Sequence, residues 1–514
     1  MPPQTSEADI KIQSPYDGAE TTALPIFQNL VQITPLPAAT RWVPSQFNCR
    51  TTDRSDGSLI VWNTKTGAMS VFAKQQKAAV ERYLSRVGHR GALDKLGEYL
   101  NDRGFIVTDT THEFRQFQTM FGQQHYRNDT LQLILLASED CNFRCTYCYE
   151  DFKRGTMYPS VRNAVKALVE KRAKQLTSLG VSWFGGEPLY GWEAIEDLGP
   201  FFAKKVEENG WTYSCSMTTN GYLLNRENAT KLFAWKCRNF QITVDGLGPQ
   251  HDAHRPARDG SKTFDTIFNN LKALKEMDEE FFVRLRINFD NKTYPHLEDY
   301  LALLEKHFSN DKRYGIALYA VGQWGGANDA NLDVCGVDKA KEVRASLNAS
   351  AQKKGLSFGS IADRTTMGGQ VCYAARPYNF VIGADGKVMK CTVVLDKDDY
   401  NIVGDLKEDG EIALDYERFS KWVEPAYEHD SSCKSCYLLP SCQGISCPYL
   451  RFEHQKSPCD ATVKPNLHNE LVDALAAKKM KAKMVHVKAG VVHAPVPVAA
   501  KETAAPLVAA KEAL

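Results

Sequence analysis

From residue 131 onward the chain alternates between two hydrophobic rhythms. Short, mainly apolar runs recur as LQLILLA (131–137), GVSWFG (180–185), TYSCSMTTN (212–220), NFQITVDG (239–246), FVRLRINF (282–289) and GIALYAVG (315–322). Their length and their β-branched or aromatic content fit strands, most of them covered on both faces. Between them, apolar residues fall at three- and four-residue spacing. In SVRNAVKALVEKRAKQL (160–176), Val161, Val165, Leu168 and Leu176 keep to one face of a helix. Strand–helix units in succession predict a parallel sheet with right-handed crossovers. The expected fold class is α/β, with a partial (β/α)6, TIM-like barrel over residues 126–330.

The flanks differ. Residues 41–125 predict a small α+β segment of winged-helix-like layout. GSLIVWNTKTGAMSVFA (57–73) alternates about a turn at 64–67, the pattern of a β-hairpin, and KAAVERYLSRV (77–87) and ALDKLGEYLNDRGFIV (92–107) carry helical spacing. Residues 331–462 hold turn signals such as GADGK (383–387) and a concentration of cysteines, and predict a small domain stapled by metal. Residues 1–40 lack periodicity, and 463–514 shift to Ala, Lys, Val and Pro, too little apolar surface to order a domain. Both ends are expected to be disordered or flexible, with a marginal helix at NELVDALAAKKMKAKM (469–484).

Composition narrows the function. A chain of 514 residues implies two or three domains. Lys and Arg number 63 against 62 Asp and Glu, so no charge imbalance points to nucleic acid or an anionic membrane. No apolar run nears the roughly 20 residues of a membrane span. SEADIKIQSPYDGAE (6–20) lacks the basic and apolar regions of a secretory signal. A cytoplasmic protein with no nucleic-acid or membrane partner is expected. There thiols stay reduced, so the 14 cysteines read as metal ligands or reactive thiols before disulfides. Ten form two groups, 141–148 and 372–459, whereas Cys49, Cys215, Cys237 and Cys335 are scattered and read as small buried hydrophobes.

CNFRCTYCYE (141–150) places Cys141, Cys145 and Cys148 together with no fourth cysteine near. Structural zinc takes four ligands, usually from paired CxxC elements. A four-iron cubane on three thiolates instead leaves one iron without a protein ligand, a docking point for a chelating amino-acid moiety. WFGGEP (183–188) ends the second predicted strand, TTNG (218–221) the third and ITVDG (242–246) the fourth, followed by HDAHR (251–255). All lie at C-terminal strand ends, the face on which barrel enzymes build their sites.

The CxxxCxxC loop followed by GGEP resembles the radical S-adenosylmethionine (SAM) superfamily. The resemblance implies that Cys141, Cys145 and Cys148 hold a 4Fe–4S cluster whose open iron chelates SAM, and form the catalytic set. It implies that Gly185, Gly186, Glu187 and Pro188 bind the amino group of SAM, with Glu187 able to accept from an ammonium. Thr243 stands where the family often has serine and could reach the ribose; Arg255 matches the arginine that pairs with the SAM carboxylate, and Tyr147 the aromatic beside the adenine. Core packing for Tyr147 and a solvated charge for Arg255 are the plain alternatives. Asp245 and Glu150 lie near the site without a role.

Cys372, then Gly386 with Cys391 five residues on, then Cys433, Cys436, Cys442, Cys447 and Cys459, resemble the SPASM extension of the same superfamily. That implies two auxiliary 4Fe–4S clusters, the first on Cys372, Cys391 and Cys447, the second on Cys433, Cys436, Cys442 and Cys459. CQGISC has four residues between its cysteines where the family usually has three, which bears on Cys447. Cys335 is a candidate eighth ligand, and a zinc ribbon is the alternative for the CxxC pair.

The implied reaction is reductive cleavage of SAM to methionine and a 5′-deoxyadenosyl radical, which takes hydrogen from an unactivated C–H bond. A flavodoxin- or ferredoxin-type reductant is the implied partner. SPASM enzymes mostly act on peptides or proteins, and residues 41–125 loosely resemble elements that bind leader peptides by strand addition, a plain structural extension being the alternative. The expectation is a maturase that installs a thioether or carbon–carbon crosslink in a ribosomally made precursor peptide. The alternatives are an anaerobic sulfatase-maturating, formylglycine-forming enzyme and, from another class, a non-catalytic iron–sulfur electron carrier.

Overall fold

A computed structural model describes residues 41–53, 56–150, 152–358, 367–369, 371–395, 397–444 and 447–454. The expectations for residues 1–40, for 463–514 and for Cys459 lie outside these residues. No described helix is long and apolar enough to cross a membrane.

The N-terminal unit comprises β1 (Arg41–Pro44), β2 (Asn48–Thr52), β3 (Leu59–Asn63), β4 (Met69–Phe72), α1 (Lys77–Tyr83), β5 (His89–Arg90), α2 (Lys95–Asp102), β6 (Ile106–Thr108) and α3 (Glu113–His125). β2, β3 and β4 form an antiparallel sheet, and β1 lies antiparallel between β5 and β6. The hairpin forms where it was expected, its turn held by the Asn63 Oδ1, which accepts from the N–H groups of Lys65 and Thr66. The second helical pattern is shorter than its spacing suggests. The helix ends at Asp102, Gly104 turns the chain at φ +74°, and Ile106 enters a strand opposite Pro44.

The larger unit runs β7 (Thr130–Ser138), α4 (Pro159–Arg172), β8 (Ser178–Gly185), α5 (Trp192–Asn209), β9 (Thr212–Thr219), α6 (Arg226–Ala234), β10 (Asn239–Thr243), α7 (Gly248–His254), α8 (Phe264–Lys275), β11 (Phe282–Phe289), α9 (Leu297–Phe308), β12 (Tyr314–Ala320), α10 (Val337–Lys353) and β13 (Ser357–Phe358). It continues with β14 (Asn379–Ile382), β15 (Lys387–Met389), α11 (Asp398–Asn401), β16 (Ile402–Leu406), β17 (Ile412–Leu414), α12 (Tyr416–Val423), α13 (Leu439–Cys442) and α14 (Pro448–His454). All six strands read from the sequence are present, in consecutive order and parallel.

The sheet does not stop there. β13 adds to one edge, and β14 pairs in parallel with β7 at the other, from Asn379 opposite Gln132 to Ile382 opposite Leu135. β15, β16 and β17 then extend it antiparallel. The cysteine-bearing C-terminal region thus continues the same sheet and covers the edge that β7 would leave open. β7 explains why. Leu131, Leu133 and Leu135 pack with Val161, Val165 and Leu168 of α4, while Ile134 and Leu136 pack with Val381 and Met389 on the opposite face.

α3 fastens the N-terminal unit to this region. Phe117 and Phe121 lie 6.0 and 5.8 Å from the Tyr427 ring, Phe47 lies 6.3 Å from Phe117, and Cys433 and Leu439 share the cluster. His125 Nε2 sits 3.0 Å from the Val423 carbonyl. Phe117 is fully buried. Phe117→Ala is expected to cost about 3–5 kcal/mol and to lower Tm in calorimetry, with β2–β4 losing hydrogen-exchange protection first; an unchanged Tm would contradict this docking.

Candidate metal centre

The cysteine loop leaves β7 and is fastened at both shoulders. Thr146 N–H donates to the His254 carbonyl (2.9 Å), Arg144 N–H to Pro256 (3.0 Å), and Arg258 N–H back to Asn142 (2.7 Å). The Arg144 guanidinium donates to the carbonyls of Cys141 and Phe143, both at 2.7 Å, and lies over the Phe152 ring. Cys141 is buried, Cys145 and Cys148 half-buried. Burial pushes all three thiols up, and for Cys141 the neighbouring Cys145 and Cys148 add to the shift, which places the sulfurs in one another's field. Among the described residues no three His, Cys, Asp or Glu side chains converge on a metal position. The thiols are neighbours rather than a closed cage.

GGEP builds the wall beside them. At Gly185, φ is +121°, and a Cβ would come within 2.0 Å of the Ser138 carbonyl oxygen; at Gly186 it would meet the Asp140 oxygen at 2.7 Å. These glycines are required by the approach of β8's end to the stretch entering the cysteine loop, sealed by Gly186 N–H to Ser138 and Glu187 N–H to Asp140. Glu187 is fully buried. Its Oε1 accepts from Leu189 N–H (2.9 Å) and Thr219 Oγ1 (2.7 Å), its Oε2 from Asn220 N–H (2.6 Å). Burial pushes its carboxyl up to about 7 against the pull of those donors. The side chain therefore joins β8 to β9 and has both oxygens engaged by the chain itself. Pro188 opens the turn that follows.

Tyr147 reaches inward. Its hydroxyl donates to Asp245 Oδ2 and accepts from Arg255 Nη1 (2.7 Å) and Asn288 Nδ2 (3.0 Å). Asp245 is fully buried; its Oδ1 accepts from Asn288 N–H (2.7 Å), and its own N–H donates to His251 Nδ1 (3.1 Å). Burial works against the Arg255 charge, but Cys145, Tyr147 and Asp245 outweigh it and hold the guanidinium protonated. The Nε of Arg255 is buried and finds no acceptor among the described residues, which leaves a donor beside the loop for an anionic group. Thr243 is buried at the end of β10, opposite Arg286. Glu150 follows the last cysteine of the loop. Sequence reasoning missed Asn288 and the part played by Asp245. The available signal was a polar residue near the C-terminal end of an otherwise apolar strand. A cleft of about 410 Å³ opens beside Thr146, between α7, residues 290–296 and residues 328–333.

Two further thiol groups lie downstream. Cys391 and Cys447 both raise the thiol of Cys372, after its own burial, so these three share one region. Asn401 clamps it, its Oδ1 accepting from the N–H of Lys390 and Cys391 and its Nδ2 donating to the Cys391 carbonyl. Cys433 and Cys436 precede α13, and Cys442 ends it. The Sγ of Cys335, the candidate eighth ligand, lies 3.3 Å from Asn291 Oδ1, in the field of Asp290 and Asp333. Cys49, Cys215 and Cys237 are buried, as expected of small hydrophobes.

The donor chemistry suits iron–sulfur clusters. In each of the three groups one sulfur accepts the N–H two residues on, Phe143 to Cys141 (3.3 Å), Val393 to Cys391 (3.4 Å) and Gly444 to Cys442 (3.4 Å). Such N–H···S bonds stabilise thiolate ligands and tune the metal they hold.

Residues 135–304 match the family model of the radical SAM superfamily. The segment that holds the cysteine loop and GGEP is of the radical SAM kind. It is 26% identical over 195 residues to the radical SAM cyclopropyl synthase TigE of Paramaledivibacter caminithermalis, covering 34% of this chain and 40% of that protein. It is 24% identical over 373 residues to a cysteine-type anaerobic sulfatase-maturating enzyme of Clostridium novyi, covering 68% of this chain and 93% of that one. Among solved structures it resembles anSMEcpe with bound AdoMet (TM-score 0.48, 20% identity, 61% of this chain and 88% of that one). It also resembles Streptococcus suis SuiB bound to its precursor peptide SuiA (TM-score 0.44, 14% identity, 81% of this chain and 98% of that one). The radical SAM match contains the cysteine loop, GGEP and the Tyr147–Asp245–Arg255 network; the two downstream thiol groups lie beyond it.

Gly185→Ala is expected to cost more than about 2 kcal/mol, because both its φ and its space exclude a methyl group. Glu187→Gln, which turns an N–H toward existing donors, should cost about 1–3 kcal/mol. Urea denaturation of the anaerobic apoprotein measures both, and wild-type stability in either would contradict the packing. The raised thiols must lose protons to bind metal, so iron uptake should climb as pH rises from about 7 to about 9; uptake indifferent to pH would contradict it.

Proposed function

We propose that this radical SAM enzyme is a peptide or protein maturase that cleaves SAM reductively and takes a hydrogen atom from its substrate. One observation carries the reading: a three-thiol loop beside a buried, half-satisfied arginine, inside the region matched to the superfamily. Cys141, Cys145 and Cys148 would hold a 4Fe–4S cluster. When bound, that cluster supplies an electron to the sulfonium of SAM, giving methionine and the 5′-deoxyadenosyl radical that attacks the substrate. Arg255 would receive the carboxylate of the methionine moiety on its free Nε, while Tyr147 and Asp245 fix the guanidinium. Gly185, Gly186, Glu187 and Pro188 would offer main-chain groups to the amine, because the Glu187 carboxylate is already engaged. Thr243 would face the ribose.

Cys372, Cys391 and Cys447 would hold a first auxiliary 4Fe–4S cluster, and Cys433, Cys436, Cys442 and Cys459 a second. The N-terminal unit, docked on Cys433, is proposed as the surface that receives a precursor peptide. A flavodoxin or ferredoxin would supply electrons, and a cytoplasmic setting would keep the thiols reduced. A thioether or carbon–carbon crosslink is the product we favour, three thiols at the first auxiliary site leaving a place for a substrate sulfur. The match across 93% of a sulfatase-maturating enzyme favours formylglycine formation as the second reading.

Anaerobically reconstituted, reduced protein should convert SAM to 5′-deoxyadenosine, and Cys141→Ala should abolish the product; a wild type without it would end the proposal. Arg255→Leu should weaken SAM binding at least about tenfold in equilibrium dialysis, the loss of a charge-assisted contact. Co-expression with a short precursor encoded nearby separates the products: a peptide lighter by the hydrogens of a crosslink, or an aldehyde that traps hydrazide.

A further inference from the structure

Lys390 has no exposed surface. Its Nζ donates to the carbonyls of Asn379 (2.6 Å) and Arg376 (2.7 Å) and sits between the rings of Phe380 and Phe419, 5.1 and 5.2 Å from their centroids. No carboxylate pairs with it among the described residues, and burial pushes its ammonium down to about 7, with only the thiol of Cys372 opposing that. Its neighbour in sequence is Cys391, and the Asn401 clamp fixes the backbone of both. Burying an ammonium without a counter-anion costs several kcal/mol, and two carbonyls and two ring faces offset only part of that. A methionine would fill the same space without the penalty. The position makes physical sense if a negative group sits beside it in the working protein.

We propose that Lys390 is the buried counter-cation of an iron–sulfur cluster on Cys372, Cys391 and Cys447, and that its charge raises that cluster's reduction potential. The inference rests on the auxiliary-cluster reading of those cysteines. A thiolate-bound cubane carries negative charge, and taking up one electron adds one more with no bond made or broken. A fixed cation close by in a low-dielectric site stabilises the reduced form more than the oxidised form. Lys390 is a positioning charge rather than a catalytic residue. Arg376, the other cation in the field of Cys372, keeps part of its surface in solvent, whereas Lys390 keeps none, so its charge is screened more than that of Lys390. His125, also nearby, is held neutral by burial, which pushes it down to about 4.

The test is a redox titration of the full-length, reconstituted protein followed by electron paramagnetic resonance. The signal lost in Cys391→Ala identifies the cluster. At the potential where that cluster is half reduced in the wild type, Lys390→Met should lower its reduced-to-oxidised ratio about tenfold or more, a 59 mV shift for one electron. The SAM-cluster ratio should not move, and Arg376→Met should change the auxiliary ratio less than about threefold. A Lys390→Met ratio within about twofold of wild type, or an equal shift in every cluster, would overturn the proposal. If Lys390→Met fails to assemble this cluster, Lys390→Arg decides: assembly at the wild-type potential supports the role of charge, and failure of both variants counts against it. No Cys391-dependent signal in the wild type would instead remove the auxiliary-cluster reading itself.

Discussion

Where β7 ends, the backbone of Gly185 comes so close to the Ser138 carbonyl that no side chain fits between them. The start of the cysteine loop is fixed by that contact. It sets the level at which the chain leaves β7, and therefore where Cys141 begins its loop. Two buried carboxylates brace it. Glu187 carries the constraint on to β9 through Thr219 and Asn220, and Glu139 carries it to the sheet extension through the Ala384 N–H and Arg154. The loop is thus framed by ordinary main-chain geometry before any metal is considered, and the polar groups that frame it are spoken for.

A second theme is the placing of buried cations beside cysteine thiols. Arg255 lies in the field of Cys145, and Lys390 in that of Cys372. Neither is matched by a free carboxylate of its own: Asp245 is shared with Tyr147 and Asn288, and Lys390 leans on carbonyls and rings. In a dry interior such cations are costly alone and useful beside thiolates. The two differ in what they leave open. Arg255 keeps an unsatisfied Nε for a ligand, whereas Lys390 is enclosed and acts only through its charge.

Of the parallel strands, β7 was legible because it is buried on both faces and so spells a continuous apolar run, feeding two packing clusters, whereas β9 was legible by alternation. The hairpin was legible from its turn. β14 was not, because NFVI is four residues whose burial depends on a partner more than 240 positions away, Asn379 opposite Gln132. β6 was hidden inside a helical pattern that only Gly104 interrupts. At the site, motif spacing singled out these loops but did not show what each side chain touches. Glu187 was read as a ligand for an amine, and its oxygens accept from Leu189, Thr219 and Asn220. Tyr147 and Arg255 looked like separate contacts and share one hydrogen-bonded network with Asp245 and Asn288, which spacing along the chain does not encode.

The central claim is that a small molecule occupies a coordination position that Cys141, Cys145 and Cys148 do not fill. Electron–nuclear double resonance of the reduced protein, mixed with SAM carrying nitrogen-15 and oxygen-17 in its methionine moiety, tests it most directly. The account predicts hyperfine coupling from both labels to the cluster of this loop, lost in Cys145→Ala. A spectrum with a reduced cluster but no coupling to either label would contradict it.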